Sequence, residues 1–164
     1  MSSDPRMYFT RKFEEGLSEC KNNLPQSLIE QCRSYFDKHI NSLLLAADGP
    51  YIVHRDFRPG NIIAYNGKLQ GIIDWSSARA SFAQEDFCSM EHTEWQIDSS
   101  SRKYFLEGYA SVRLIPNYDI VIPLLRLSKA IATIGFIVKR GTYESNENLY
   151  HFNRQFIETL FEDK

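Results

Sequence analysis

Between residues 24 and 47 the apolar positions Leu28, Cys32, Tyr35, Phe36, Ile40, Leu43, Leu44 and Ala47 recur at steps of three and four. That spacing lays one apolar stripe along a helix, and Asp48-Gly49-Pro50 is a sharp stop after it. From 51 to 75 the pattern shortens to β-branched or aromatic runs: Tyr51-Ile52-Val53, Ile62-Ile63-Ala64-Tyr65 and Gln70-Gly71-Ile72-Ile73. Asn66-Gly67 between the last two runs is the strongest short hairpin signal, because the tight turn needs two left-handed residues in succession. The zone therefore reads as strand, loop, strand, tight turn and strand, with residues 55–60 as the loop. From about Glu85 the helical period returns. Ser99-Ser100-Ser101 predicts a cap for a helix through Tyr104, Phe105, Gly108, Tyr109 and Val112, broken by Pro116-Asn117. A further helix is expected from near Ile120 or Pro123 to Val138, followed by Lys139-Arg140 and Gly141 as dipole and cap rules require. A last helix is expected over 147–161. The fold class is α+β, mostly helical, with a small β-hairpin insert.

The 164 residues are 43% hydrophobic and 24% charged, a globular balance long enough for one real core. Nineteen Lys+Arg against twenty-one Asp+Glu leave a net charge of −2, which argues against a general nucleic-acid binder. Cys20, Cys32 and Cys88 are odd in number and widely spaced, so they read as reduced, packed thiols. Met1-Ser2-Ser3-Asp4-Pro5 lacks the layout of a signal peptide. No apolar run approaches the roughly 20 residues that cross a bilayer. The longest, 131–138, is interrupted by Thr133 and Gly135. A soluble, cytoplasmic protein without membrane contact is expected.

Chemistry concentrates in His54-Arg55-Asp56-Phe57-Arg58-Pro59-Gly60-Asn61 and in Ile73-Asp74-Trp75. A symmetric hairpin about Asn66-Gly67 would bring Asn61 and Asp74 together at its open end. An amide oxygen beside a carboxylate is a hard-oxygen pair suited to magnesium, which keeps waters and substrate phosphates as its other ligands. Asp56, on the loop beside them, is free to accept a proton from an incoming hydroxyl. A metal clamp with a positioned base is the minimum equipment for phosphoryl transfer.

The run His54-x-Asp56-x-x-x-x-Asn61 followed by Ile73-Asp74-Trp75 resembles the motifs of the aminoglycoside phosphotransferase / choline kinase-like family, relatives of protein kinases. Pro59-Gly60-Asn61 and Ala83-Gln84-Glu85-Asp86-Phe87 extend the resemblance, which covers about residues 43–90 by motif. It implies that Asp56 is the catalytic base, that Asn61 and Asp74 hold magnesium bridging the phosphates of ATP, that His54 orients the loop, and that Asp86 bonds the loop backbone. It also implies a protein-kinase-like C-terminal lobe over 24–164, preceded by an undefined segment, 1–23. Two residues depart from the family pattern: Arg55 stands where glycine is common, and Arg58 where histidine often precedes the proline. Both add charge beside the phosphate path. No Gly-x-Gly-x-x-Gly occurs in the chain, and no strand lysine precedes the loop, so the N-terminal lobe is expected to be absent. The face it would cover is then bare, predicting an exposed apolar patch, self-association or a partner there.

Plainer readings stand beside these. Asp56 alone is a turn former ahead of Pro-Gly, Asn61 a loop residue, and Asp74 a strand-end cap. His92 reads as a solvated histidine on a polar helix, and His39 and His151 likewise. Trp75 and Trp95 read as packing residues, with Trp95 or Tyr104 as the alternative wall of an acceptor pocket. Glu85, Asp86, Glu91, Glu94 and Asp98 read as a partly solvated face, or as the binding surface of a cationic acceptor. Two functions follow: an ATP- and magnesium-dependent phosphotransferase acting on a hydroxyl of a small molecule, or a kinase-like lobe that binds partners and catalyses nothing.

Overall fold

The computed structural model describes residues 4–46, 51–117 and 119–162. Along the chain run α1 (Pro5–Cys20), α2 (Gln26–His39), a 3-10 segment (Ile40–Ala46), β1 (Tyr51–Val53), a 3-10 turn (Pro59–Asn61), β2 (Ile62–Tyr65), β3 (Lys68–Ile72), a second 3-10 turn (Trp75–Ser77) and β4 (Arg79–Ser81). Then come α3 (Gln84–Ser89), a π turn (Met90–Glu94), α4 (Trp95–Ile97), α5 (Ser99–Ala110), α6 (Ile122–Arg140) and α7 (Glu147–Glu162). The chain is mostly helical with small antiparallel sheets, as the α+β reading expects. None of the described helices is long and apolar enough to cross a membrane.

Two compact units form. One is Leu45–Ile122; the other takes the chain up to Leu44 and again from Pro123. The second is all helix. Its α1 falls where the sequence reading assigns no element, although Phe9, Phe13, Leu17 and Cys20 are buried at helical spacing. Asp4 caps it by accepting the Arg6 N–H at 2.9 Å, and Pro5 occupies the first turn, where its missing N–H costs nothing. The single helix expected over 24–47 divides into α2 and the tighter 3-10 segment after His39. Ala47 and the stop Asp48-Gly49-Pro50 lie outside the described residues, as do Met1, Ser2 and Ser3.

The helical core is close-packed. Phe13 stacks on Phe36 with ring centroids 4.0 Å apart, and the buried Cys20 thiol donates to the carbonyl of Ile131 at 3.4 Å. Burial pushes the Cys20 and Cys32 thiols up to about 12, so both are protonated packing groups. Helices α1 and α6 meet at two glycines. A Cβ on Gly16 would stand 2.9 Å from a methyl of Ile131, and one on Gly135 would stand 3.0 Å from the Cβ of Glu19 and 3.3 Å from the Gly16 carbonyl.

In the other unit, β1 pairs antiparallel with β4 (Tyr51↔Ser81, Ile52↔Ala80, Val53↔Arg79), and β2 with β3. The expected succession of three strands is thus two separate ribbons, and β4, unheralded by any β-branched residue, supplies the partner of β1. Asn66 and Gly67 are both left-handed (φ 49° and 72°), as their turn requires. The ladder runs Tyr65↔Lys68 and Ala64↔Leu69, then Ile63↔Gly71 and Ile62↔Ile72, leaving Gln70 as a bulge. The sequence count brings Asn61 to Asp74; the turn at Asn66-Gly67 would by itself set Asn61 opposite Ile72, and the bulge moves it opposite Ile73, whose N–H donates to the Asn61 carbonyl at 2.9 Å. Asp98, not the serines after it, caps α5 by accepting the Ser100 N–H.

Replacing Gly135 by alanine is expected to destabilise the chain by about 1–3 kcal/mol, because the facing atoms are helix backbone and a Cβ that cannot rotate away. Gly108, in α5 with open space around it, gives the opposite sign: Gly108→Ala gains about 1 kcal/mol of helix propensity. Chemical denaturation of the two variants checks both.

Candidate functional site

The loop after β1 is held from below by one side chain. Asp86, in the first turn of α3, accepts the backbone N–H of His54 at 2.9 Å through Oδ2 and that of Arg55 at 2.7 Å through Oδ1. The loop-bracing part that the resemblance implies for Asp86 fits this geometry. Burial raises its carboxyl above the usual carboxylate range, against the two N–H donors, which pull it down.

His54 is buried, and its ring joins both halves of the site. Nε2 lies 2.8 Å from the Ile73 carbonyl, which can only accept, so Nε2 carries the proton. Nδ1 then accepts the N–H of Asp56 at 3.3 Å. The ring is neutral, in one tautomer, and spans from the residue before Asp74 to Asp56 itself. Trp75 packs against it at 4.7 Å, with the indole N–H donated to the Ile72 carbonyl at 2.8 Å.

Asn61 ends the loop and is also buried. Its Nδ2 donates to the Asp56 carbonyl at 2.8 Å and to Asp56 Oδ2 at 2.9 Å. A backbone carbonyl has no hydrogen to give, so the amide can face Asp56 only through nitrogen, and Oδ1 points away from the loop. Asp74 is left-handed (φ 61°) and exposed, and its Oδ1 accepts the Ser76 hydroxyl at 2.8 Å. Among the described residues no cluster of three or more His, Cys, Asp or Glu side chains could hold a metal. An amide oxygen with a carboxylate is a smaller donor set, one that fits magnesium because that ion keeps waters and phosphate oxygens.

The two arginines have acid partners. Arg58 Nε reaches both Asp56 oxygens, at 3.2 and 3.3 Å, on the surface. Arg55 is left-handed (φ 69°) and its Nε donates to Glu85 Oε2 at 3.2 Å. The other Glu85 oxygen accepts from Arg79 at 2.6 Å and from the Ser81 hydroxyl. Two further acids after Asp74 are engaged: Glu91 pairs with Arg102 at 3.3 Å, and Asp98 caps α5.

Several readings need correction. His92 is buried, not solvated, on the same helical face as the buried Cys88 and Trp95. Trp95 is buried, as its packing reading expects, Tyr104 is exposed, and a cavity lies beside the loop. That cavity, of about 200 Å³, is walled by Tyr51, Phe57, Phe87, Phe105 and Tyr109, with Asp86 at its edge. Arg113 lies 4.1 Å over the Tyr51 ring there. Sequence reasoning also missed Arg79 and Ser81, whose alternation ahead of Glu85 was the available signal.

A family model described as the phosphotransferase enzyme family matches residues 2–123, more than half of the chain. No curated protein and no solved structure matches it.

Asp86→Ala leaves two adjacent N–H groups without their acceptor and is expected to cost about 1–3 kcal/mol. The pH dependence has a definite sign. A carboxyl raised by folding favours the folded chain below the unfolded value, and that contribution is lost as pH rises through the folded one. The stability advantage of the natural chain over Asp86→Asn should therefore be largest in acid and narrow as pH rises from the ordinary carboxylate range; urea titrations at stepped pH measure it.

Proposed function

Because the chain belongs to the phosphotransferase enzyme family, we propose that it transfers the γ-phosphoryl group of ATP to a hydroxyl of a small molecule with magnesium, using residues 24–164 as a kinase-like C-terminal lobe. The observation that carries this reading is the forced orientation of Asn61: its nitrogen is spent on Asp56, which leaves a buried amide's oxygen as a ligand on the side away from the loop.

Asn61 Oδ1 and the Asp74 carboxylate would hold the magnesium, which when bound neutralises and orients the phosphate oxygens. Asp56 accepts the proton of the attacking hydroxyl at its carboxylate. Its backbone is fixed at both ends, the N–H on His54 and the carbonyl on Asn61, so the side chain stands on a rigid base. The Arg58 contact is exposed, and pairs of that kind contribute at most about 1 kcal/mol, so Arg58 is readily displaced by a substrate while Asn61 keeps its hold on Oδ2. Three buried free thiols support a reducing compartment, the cytoplasm.

One observation favours the second reading, a binding module without catalysis. Ile63, Tyr65, Leu69, Ile73 and Trp75, all on or beside the hairpin, are exposed apolar side chains suited to a partner.

Under the first reading, ATP with magnesium raises the melting temperature, neither alone does so as far, and Asp74→Ala abolishes the metal-linked part. Asp56→Asn keeps the shift while phosphoryl transfer falls by about 10²–10⁴. A shift equal in Asp74→Ala, or none at all, sinks the phosphotransferase reading and leaves the binding module.

A further inference from the structure

Three residues other than glycine adopt left-handed backbone in the described chain: Arg55 (φ 69°), Asn66 (φ 49°) and Asp74 (φ 61°). Asn and Asp tolerate that region; arginine has no such excuse, and glycine would enter it without strain. What glycine could keep at position 55 is the main-chain part. The Arg55 N–H would still reach Asp86, and its carbonyl would still accept the Ser89 hydroxyl at 3.3 Å. What glycine would lose is the side chain, with its bond to Glu85 Oε2 and a longer one, 3.4 Å, from Nη1 to the carbonyl of Ser77. A strained residue persists where its surroundings over-determine it, and here the surroundings are these two acceptors.

Both acceptors belong to the chain that follows Asp74. Ser77 closes the 3-10 turn Trp75–Ser77, which Asp74 begins in left-handed backbone. Glu85 is nearly buried, and its second oxygen is held by Arg79 and Ser81 of β4, the strand next along the chain. One guanidinium therefore links the loop carrying Asp56, the turn after Asp74, and α3. We propose that Arg55 is a positioning residue that fixes Asp74 relative to Asp56 by tethering the turn after Asp74 to the loop. The tether stands on geometry alone; its consequence for metal and nucleotide rests on the phosphotransferase reading.

The test compares the natural chain with Arg55→Gly and Arg55→Lys, by amide hydrogen exchange and by manganese binding in the presence of ATP, read from the free-ion EPR signal. In Arg55→Gly the melting temperature should hold or rise as strain is relieved, while amides of residues 74–78 exchange about five- to tenfold faster, the worth of one ordinary hydrogen bond. Manganese–ATP affinity should fall by a similar factor. Arg55→Lys, which keeps the charge but cannot serve both acceptors, should change exchange in the same direction by less, and stands in if the glycine variant fails to fold. Unchanged exchange over 74–78, or a loss of protection spread evenly over the chain with a lower melting temperature, overturns the tether. Failure of the natural chain to bind manganese with ATP sinks the phosphotransferase reading instead, and exchange then decides the tether by itself.

Discussion

One carboxylate accepting two successive backbone N–H groups is the constraint on which the rest of the site depends. Asp86 fixes the backbone N–H groups of His54 and Arg55 on its two oxygens. Arg55, the second of the pair, then carries the chain into the loop in left-handed backbone. The balance is favourable. Hydrogen bonds to a charged acceptor contribute about 1.5–3 kcal/mol each, while a left-handed residue costs about 1–2 kcal/mol. Burial of the carboxyl acts against the two donors and outweighs them in holding the proton, which is why its proton affinity rises despite them. Once these bonds are made, the His54 ring is delivered between Ile73 and Asp56, and the loop can close on Asn61.

The supporting bonds share a pattern: most of them end on backbone. His54 grips the Ile73 carbonyl and the Asp56 N–H; Asn61 grips the Asp56 carbonyl, and its own carbonyl accepts from Ile73. The two acids are thereby placed through their main chains, and their carboxylates meet only local partners, Arg58 and Asn61 for Asp56 and Ser76 for Asp74. A site that must exchange ligands is served by this division. Rigidity comes from the bonds to backbone, whereas the Arg58 and Ser76 contacts of the two carboxylates lie on the surface.

What was legible in the sequence was local. Asn66-Gly67 specifies its own turn, the three-and-four period specifies α2, and the spacing of Asp56, Asn61 and Asp74 marks the candidate site. What escaped reading depends on partners far along the chain. A one-residue bulge at Gln70 shifts the register at Asn61, and no residue type announces it. The strand β4 exists because β1 pairs with it, not because Arg-Ala-Ser favours extended backbone. His92 is buried on one face with Cys88 and Trp95, which its polar neighbours Glu91, Thr93 and Glu94 mask in the sequence. Helix α1 is a different case: Phe9, Phe13, Leu17 and Cys20 form a readable stripe behind an Asp-Pro start.

The acidic run after Asp74 shows how charge in a sequence can mislead about recognition. Five acids within fourteen residues suggest a surface for a cation. In the fold, Glu85 is enclosed by Arg55, Arg79 and Ser81; Asp86 faces backbone; Glu91 pairs with Arg102; and Asp98 is held below the usual carboxylate range by the Ser100 hydroxyl and N–H. A cationic ligand meeting this run would have to break bonds that the loop and α5 require. Of the five, four are committed to structure, so the run cannot act as one anionic surface. The same commitment accounts for the arginines. Arg55 and Arg79 stand on either side of the nearly buried Glu85, a charge that would be costly to leave there unpaired, and in meeting that need they join the loop to the strand beyond it.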